Sequence, residues 1–321
     1  MGQKKVNELK VGSIITYINL IISTIIPLLY TPIMLRILGQ EEYGLYSLSN
    51  SVISYLTLLN FGFGTAIIRF ISKFRVEGDH DKIEGVTGLI LSIYGIIAII
   101  VCIVGFLLTK GTGLFFGTGL TVNEIQRLKI LMVIMTVSTA ISFPVSVLSS
   151  VSVAYEKYIF RKMVDMIATI ATPILNLIVL FLGYASIGLA MIGLGIQLIY
   201  GIIFIWYCKQ KLNVVPRFKD MPFYMVKEIL GFSIYVFASS IIDMLYWATD
   251  KVLIGAVLGT VAVAVYNIGG TFTSMLQNMS SAISGVFGTR VNMMVFGNQP
   301  MEKLSELLIR IGRLQYYIVS L

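Results

Sequence analysis

Charge is what this chain has least of. Only 12 % of its 321 residues are Asp, Glu, Lys or Arg, where a soluble domain usually carries about 25 %. Hydrophobic residues make up 57 %, and that balance excludes a soluble enzyme. Histidine occurs once and cysteine twice, which excludes a His/Cys metal centre and a disulfide framework. His80 lies between Asp79 and Asp81, and a solvated loop explains that trio better than a metal site. Cys102 and Cys208 fall in or at the end of apolar runs and read as lipid-facing or packing thiols. There is no Walker sequence, nucleophile elbow or His pair on a helix, so no catalytic or metal-binding residue is assigned. Gly62-Phe63-Gly64 matches part of a dinucleotide fingerprint but lies inside an apolar run, which discounts it.

Long uncharged stretches take the place of those features. They cover 11–35, 43–68, 85–109, 130–155, 166–208 and 252–289, and 229–249 is apolar apart from Asp243. A crossing of the bilayer core needs roughly 20 apolar helical residues. The stretch 166–208 is long enough for two crossings, with a natural break at Leu182-Gly183. Eight spans result, and a ninth begins near Ile311. The first run has no small-residue cleavage pattern and stays as a helix.

The net charge of +8 belongs to the loops, not to nucleic-acid binding. With the N-terminus placed in the cytoplasm, the outer segments hold Arg36, Lys110, Arg127, Lys129 and Lys251; the other nineteen of the 24 Lys and Arg are inside. This is the expected bias of cytoplasmic loops, and it is hard to obtain if a span is missed or invented. Pro27, Pro32, Pro144 and Pro173 imply kinks within spans. Glycines recurring in the spans (Gly62 and Gly64, Gly193 and Gly195, Gly269 and Gly270, Gly285 and Gly288) allow close helix packing. The glycine-rich stretch 111–119 reads as a loop.

An internal repeat is present. Leu38-Gly39, Gly44 and Tyr46 recur 220 positions later as Leu258-Gly259, Ala264 and Tyr266. Six spans separate the copies, so both face the same way, which is a parallel repeat about an axis along the membrane normal. The reading is an all-α polytopic membrane protein: residues 1–226 form an N-terminal six-helix lobe and 227–321 start a second, incomplete one. Leu304, Leu307, Leu308 and Ile311 give a basic amphipathic segment leading into a span. The C-terminal part of a longer protein is expected to be missing.

Ionisable residues in apolar runs cost a few kcal/mol at the bilayer centre. Asp243 lies two helical turns before Asp250, and Lys251 follows; these three are candidates for ion coupling or for a gate. Arg36 ends the first span and is a candidate for an anionic head group. Amides in the spans, among them Asn19, Asn60, Asn176, Asn267 and Asn278, must face the protein interior or a wet cavity. With neighbouring tyrosines they suit a sugar, and interhelical hydrogen bonds explain them equally well.

Pro32 followed by Leu38-Gly39-Gln40-Glu41-Glu42-Tyr43-Gly44-Leu45-Tyr46 resembles the first hairpin of bacterial oligosaccharide flippases, the Wzx-type polysaccharide exporters. Asn60-Phe61-Gly62-Phe63-Gly64 running into Arg69-Phe70-Ile71-Ser72 resembles the end of their second helix. Asp250-Lys251-Val252-Leu253-Ile254-Gly255 with Leu258-Gly259 and Tyr266 resembles the start of their second lobe. The resemblance implies two six-helix lobes around a central cavity in the bacterial inner membrane. It implies a polyprenyl-pyrophosphate-linked oligosaccharide as substrate, moved from the inner to the outer leaflet by alternating access. Polysaccharide polymerase and glycosyltransferases would be partners. No cofactor is implied beyond coupling to a Na+ or H+ gradient or to the membrane potential. Such flippases are expected to line the cavity with basic residues; here Arg36 and Arg69, the basic candidates for substrate contact, and Lys251 all sit near span ends. A cation-coupled multidrug exporter and a peptidoglycan-precursor flippase are the alternatives.

Overall fold

The computed structural model describes residues 2–61, 63–117, 119–219, 225–274, 276–277 and 301–319. Gly62, Asn278, Gly285 and Gly288 lie outside that set. All the regular structure described is helical. In order come α1 (Gly2–Ser54), a 3-10 segment (Tyr55–Asn60), α2 (Phe63–Glu77), α3 (His80–Phe116), α4 (Val122–Ala154), α5 (Tyr158–Phe181), α6 (Ala185–Lys211) and α7 (Val226–Leu258). A helix over 260–274, here α8, and α9 (Met301–Val319) follow. Among the described residues, Ile21–Asn60, α3, α4, α5 and α6 have the length and apolarity of a crossing.

The chain separates into two compact units, Pro32–Asn267 and Met1–Thr31 with Ile268–Leu321. The first carries the core. Its centre is α4, which packs most extensively on α3 and α6 and also meets α2 and α5. Leu128, Leu131, Met132, Phe143, Val147 and Val151 of α4 are buried, and so are its hydroxyl residues Thr136, Ser149, Ser150 and Ser152. Small side chains let the backbones approach: a Cβ on Gly105 of α3 would collide with Thr136. The outward side of α3 is apolar as well. Ile96, Ile99, Ile103, Phe106 and Leu107 are exposed at helical spacing, a stripe suited to lipid. Cys102 is exposed and Cys208 is buried, its Sγ 3.5 Å from the Leu148 carbonyl, so one thiol fits each of the two expected roles.

The backbone departs from the sequence expectation in three places. The run 43–68 is not one α-helix, because the 3-10 segment and a left-handed Phe61 (φ 50°) interrupt it. Residues Gly111 to Phe116 are not a loop but the last turns of α3. Helical glycine costs about 1 kcal/mol relative to alanine, but burial of Thr112 and Phe116 and the Thr112 hydroxyl bond to the Thr109 carbonyl at 2.9 Å favour the helix. Finally, α7 joins the apolar run 229–249 to the start of the run 252–289, which is itself broken at Gly259, so Asp250 and Lys251 lie within one helix. The expected break between α5 and α6 is where the sequence put it, at Leu182-Gly183.

Within Pro32–Asn267 the loops gather in two clusters. In the basic cluster, Arg75 donates to the Ala154 carbonyl at 2.6 Å and lies over the Tyr155 ring. Arg217 pairs with Asp81 at 3.0 Å. The backbone amides of Arg217 and Val215 donate to the main chain and side chain of Glu84. Asp79 caps α3 by accepting from the Lys82 amide at 3.0 Å, and its bonds with Lys82 hold its carboxyl below the usual range. The acids around His80 are therefore occupied by capping and pairing. The second cluster, poor in Lys and Arg, joins the turns after Gly39, before α4, between α5 and α6, and after α7. The alternation of loops in the sequence reappears as two spatial groups.

Candidate functional site

The cluster poor in Lys and Arg is built on two helix breaks. Gly39 has φ 80° and ψ 166°, and Gly259 has φ 84° and ψ −175°. This backbone region is essentially open to glycine alone. The two glycines of the sequence repeat thus share one conformation, and each is followed by a new helix. A Cβ on Gly44 would fall inside the Thr260 carbonyl, so the helix after Gly39 crosses α8 with backbones in contact. Val263 and Ala264 of α8 are fully buried there.

Polar ties surround the crossing. The Asn267 carboxamide donates to the Tyr43 hydroxyl at 2.7 Å and to the Ser47 hydroxyl at 3.1 Å. Glu124 closes a capping box with Thr121 at the start of α4, and its other oxygen accepts from the Thr260 hydroxyl at 2.6 Å. Glu42 pairs with Arg127 and accepts from the Ser186 hydroxyl. Glu41, Glu42, Asn123, Glu124, Gln126 and Arg127 are among the residues lining a cavity of about 570 Å³ beside these ties. Asp250 accepts from the Tyr266 hydroxyl. Half-buried Lys251 follows it on α7, while Tyr55 and Thr249 share a hydrogen bond of 2.8 Å.

The remaining candidates are spread out. Asn60 ends the 3-10 segment, and its carbonyl and carboxamide oxygens both accept from the Tyr94 hydroxyl. Tyr94 is fully buried between Phe63 and Phe143. This bond fastens the broken helix to α3, so interhelical bonding accounts for Asn60. Asn176 on α5 is 6 % exposed, and its Oδ1 has no hydrogen-bond partner. Asn19 likewise has a buried Oδ1 without a partner, in the other unit. Arg36, Arg69 and Asp243 are exposed on α1, α2 and α7. The structure therefore brings together Asn267, Asp250 and Lys251 at one end, and does not gather the other candidates around them.

Sequence reasoning missed Glu42, Glu124, Arg127, Ser186 and Thr260. One local signal was available: Thr121-Val122-Asn123-Glu124 is a capping-box pattern. The pairings themselves join residues 85 or more positions apart, which no periodicity reveals.

A family model described as "Polysaccharide biosynthesis protein" matches residues 9–287. No curated protein matches the chain. Among solved structures, one similar chain is a MOP superfamily transporter from Pyrococcus furiosus, described as having a binding pocket of reverse polarity. It shares 16 % identity at a TM-score of 0.66, over 96 % of this chain and 69 % of that one. A MATE protein in complex with MaD3S gives 17 % and 0.66, over 96 % and 70 %. An outward-facing multidrug resistance MATE family transporter gives 16 % and 0.67, over 96 % and 69 %. At these identities the likeness is one of fold. The fold is one that solved membrane transporters share, and the long apolar helices suit a multi-pass membrane protein.

Proposed function

This chain belongs to the polysaccharide biosynthesis protein family, and we propose that within it the protein flips a polyprenyl-pyrophosphate-linked oligosaccharide from the inner to the outer leaflet by alternating access. The observation that carries the reading is the family match over 9–287. The paired hinges at Gly39 and Gly259 are compatible with two lobes, 1–226 and 227–321, that rock against each other. The cytoplasm holds the N-terminus and the basic loops, in the inner membrane of a bacterium. An inside-negative potential favours outward movement of the pyrophosphate by about 2.3 kcal/mol per charge per 100 mV. Glycosyltransferases supply the substrate and a polymerase receives it. A second reading, cation-coupled drug export, is favoured by the fold shared with a multidrug resistance transporter and would use Asp243 for coupling.

Reconstitution in liposomes tests both. A polyprenyl-pyrophosphate oligosaccharide is offered on one leaflet, and its exposure on the other is scored with a sugar-modifying enzyme. Translocation that responds to membrane potential is expected. Folded protein that leaves the lipid in place but exchanges a drug for a cation would transfer the assignment to the second reading.

A further inference from the structure

The polar ties of this acidic cluster divide into two kinds by what they join. Glu42 binds Arg127 of α4 and Ser186 of α6, and all three belong to residues 1–226. Those bonds brace three hairpins of one lobe against one another. Glu124 and Asn267 do something else. Glu124 joins α4 to Thr260, the first residue after the Gly259 break. Asn267, about two turns further along α8, joins it to Tyr43 and Ser47, which follow the Gly39 break. Each of these ties crosses from residues 1–226 to residues beyond 227, and all lie within the compact unit Pro32–Asn267.

The geometry suits a fastening that can be made and broken. Gly119 packs on the end of α7, where its Cβ would lie 2.7 Å from the Ala256 carbonyl oxygen, and a Cβ on Gly259 would lie 2.7 Å from the Gly119 oxygen. Flat backbone contact of this kind separates without unthreading side chains. The Glu124 carboxylate stands at the N-terminus of α4 and beside that of α8, where helix dipoles favour negative charge. If α8 swings about Gly259, Glu124 keeps its capping box with Thr121 and loses only Thr260. The carboxylate stays satisfied in both positions, so the bond is reversible at modest cost.

We propose that Glu124–Thr260, seconded by Asn267 with Tyr43 and Ser47, is a latch that holds this end of the molecule closed, and that its release lets α8 move on the Gly259 hinge. The role rests on the alternating-access reading, but its test needs no substrate. Ala264, buried in the crossing, is replaced by cysteine in a Cys102→Ser/Cys208→Ala background. Alkylation by a charged maleimide is timed on the purified protein in detergent. Slow alkylation is expected with the latch intact. Thr260→Val or Glu124→Gln should speed it by about tenfold, the scale of one hydrogen bond to a charged group. Thr260→Ser keeps the hydroxyl and should match the parent. Parental rates in both Thr260→Val and Glu124→Gln, with each variant monodisperse and helical, would overturn the latch, as would fast alkylation before any latch residue is changed. Should Glu124→Gln fail to fold, Thr260→Val and Thr260→Ser decide alone. Failure here leaves the flippase assay untouched, and failure of lipid translocation leaves the alkylation result standing.

Discussion

The turn at Leu38-Gly39 and the turn at Leu258-Gly259 have one backbone conformation and different surroundings. A methyl group added to Gly39 would meet nothing within 4 Å, whereas one added to Gly259 would lie 2.7 Å from the Gly119 carbonyl oxygen. Five residues on, the contrast reverses. Gly44 meets the Thr260 backbone and has no room for a Cβ, while the equivalent Ala264 carries its Cβ in the buried crossing. Eight residues on, Ser47 accepts the bond that Asn267 donates. The repeat has kept the hinge geometry and let the two copies diverge, one supplying the gap at Gly44 and the acceptor, the other the Thr260 carbonyl that occupies the gap and the donor.

Substitutions can break that division of roles. The largest effect is expected at Gly44. Gly44→Ala forces a methyl group into a carbonyl that belongs to a helix backbone and cannot rotate away. Overpacking costs typically 1–3 kcal/mol and occasionally more; this position should lie at the upper end, and Gly44→Val should prevent accumulation of folded protein. Ala264→Gly, at the matching place, should cost about 2 kcal/mol, roughly half from helix propensity and half from the lost buried methyl. Thermal unfolding in detergent compares them. Equal losses would mean that the crossing is not packed asymmetrically.

The hinges come next. Gly39→Ala and Gly259→Ala each place alanine in a glycine-only region, at roughly 1–3 kcal/mol. Gly259→Ala also pushes on the Gly119 carbonyl, so its melting temperature should fall further than that of Gly39→Ala. An equal fall would show that the Gly119 contact relaxes freely.

How far the sequence disclosed all this differs by kind of information. Uncharged runs gave α3, α4, α5 and α6 because a crossing demands about 20 apolar residues, a constraint that composition records directly. The Leu182-Gly183 break and the paired glycines were legible because glycine marks backbone conformations closed to other residues. The 3-10 break at Tyr55–Asn60 was not legible, since no charge or proline interrupts the run there and Gly62 and Gly64 read as packing glycines. It depends on Tyr94, distant in sequence, bonding to Asn60. The stretch Gly111 to Phe116 was misread because local propensity was outweighed by burial of Thr112 and Phe116. Of the candidate site, Asn267, Asp250 and Lys251 were found as polar residues in apolar surroundings. Glu42, Glu124 and Arg127 passed as ordinary loop charges, because their roles exist only once distant hairpins meet.

The smallest effects should come from the side chains that complete the crossing. Asn267→Ala removes a donor shared by Tyr43 and Ser47, and a typical net hydrogen bond is worth about 0.5–1.5 kcal/mol. Ser47→Ala removes one acceptor but leaves Asn267 its shorter bond to Tyr43. It should therefore cost less than Asn267→Ala. The double variant should cost less than the sum of the two, because both changes delete the same Asn267–Ser47 bond. A double-mutant cycle on melting in detergent isolates that coupling. Strict additivity would indicate that the two residues do not hold each other.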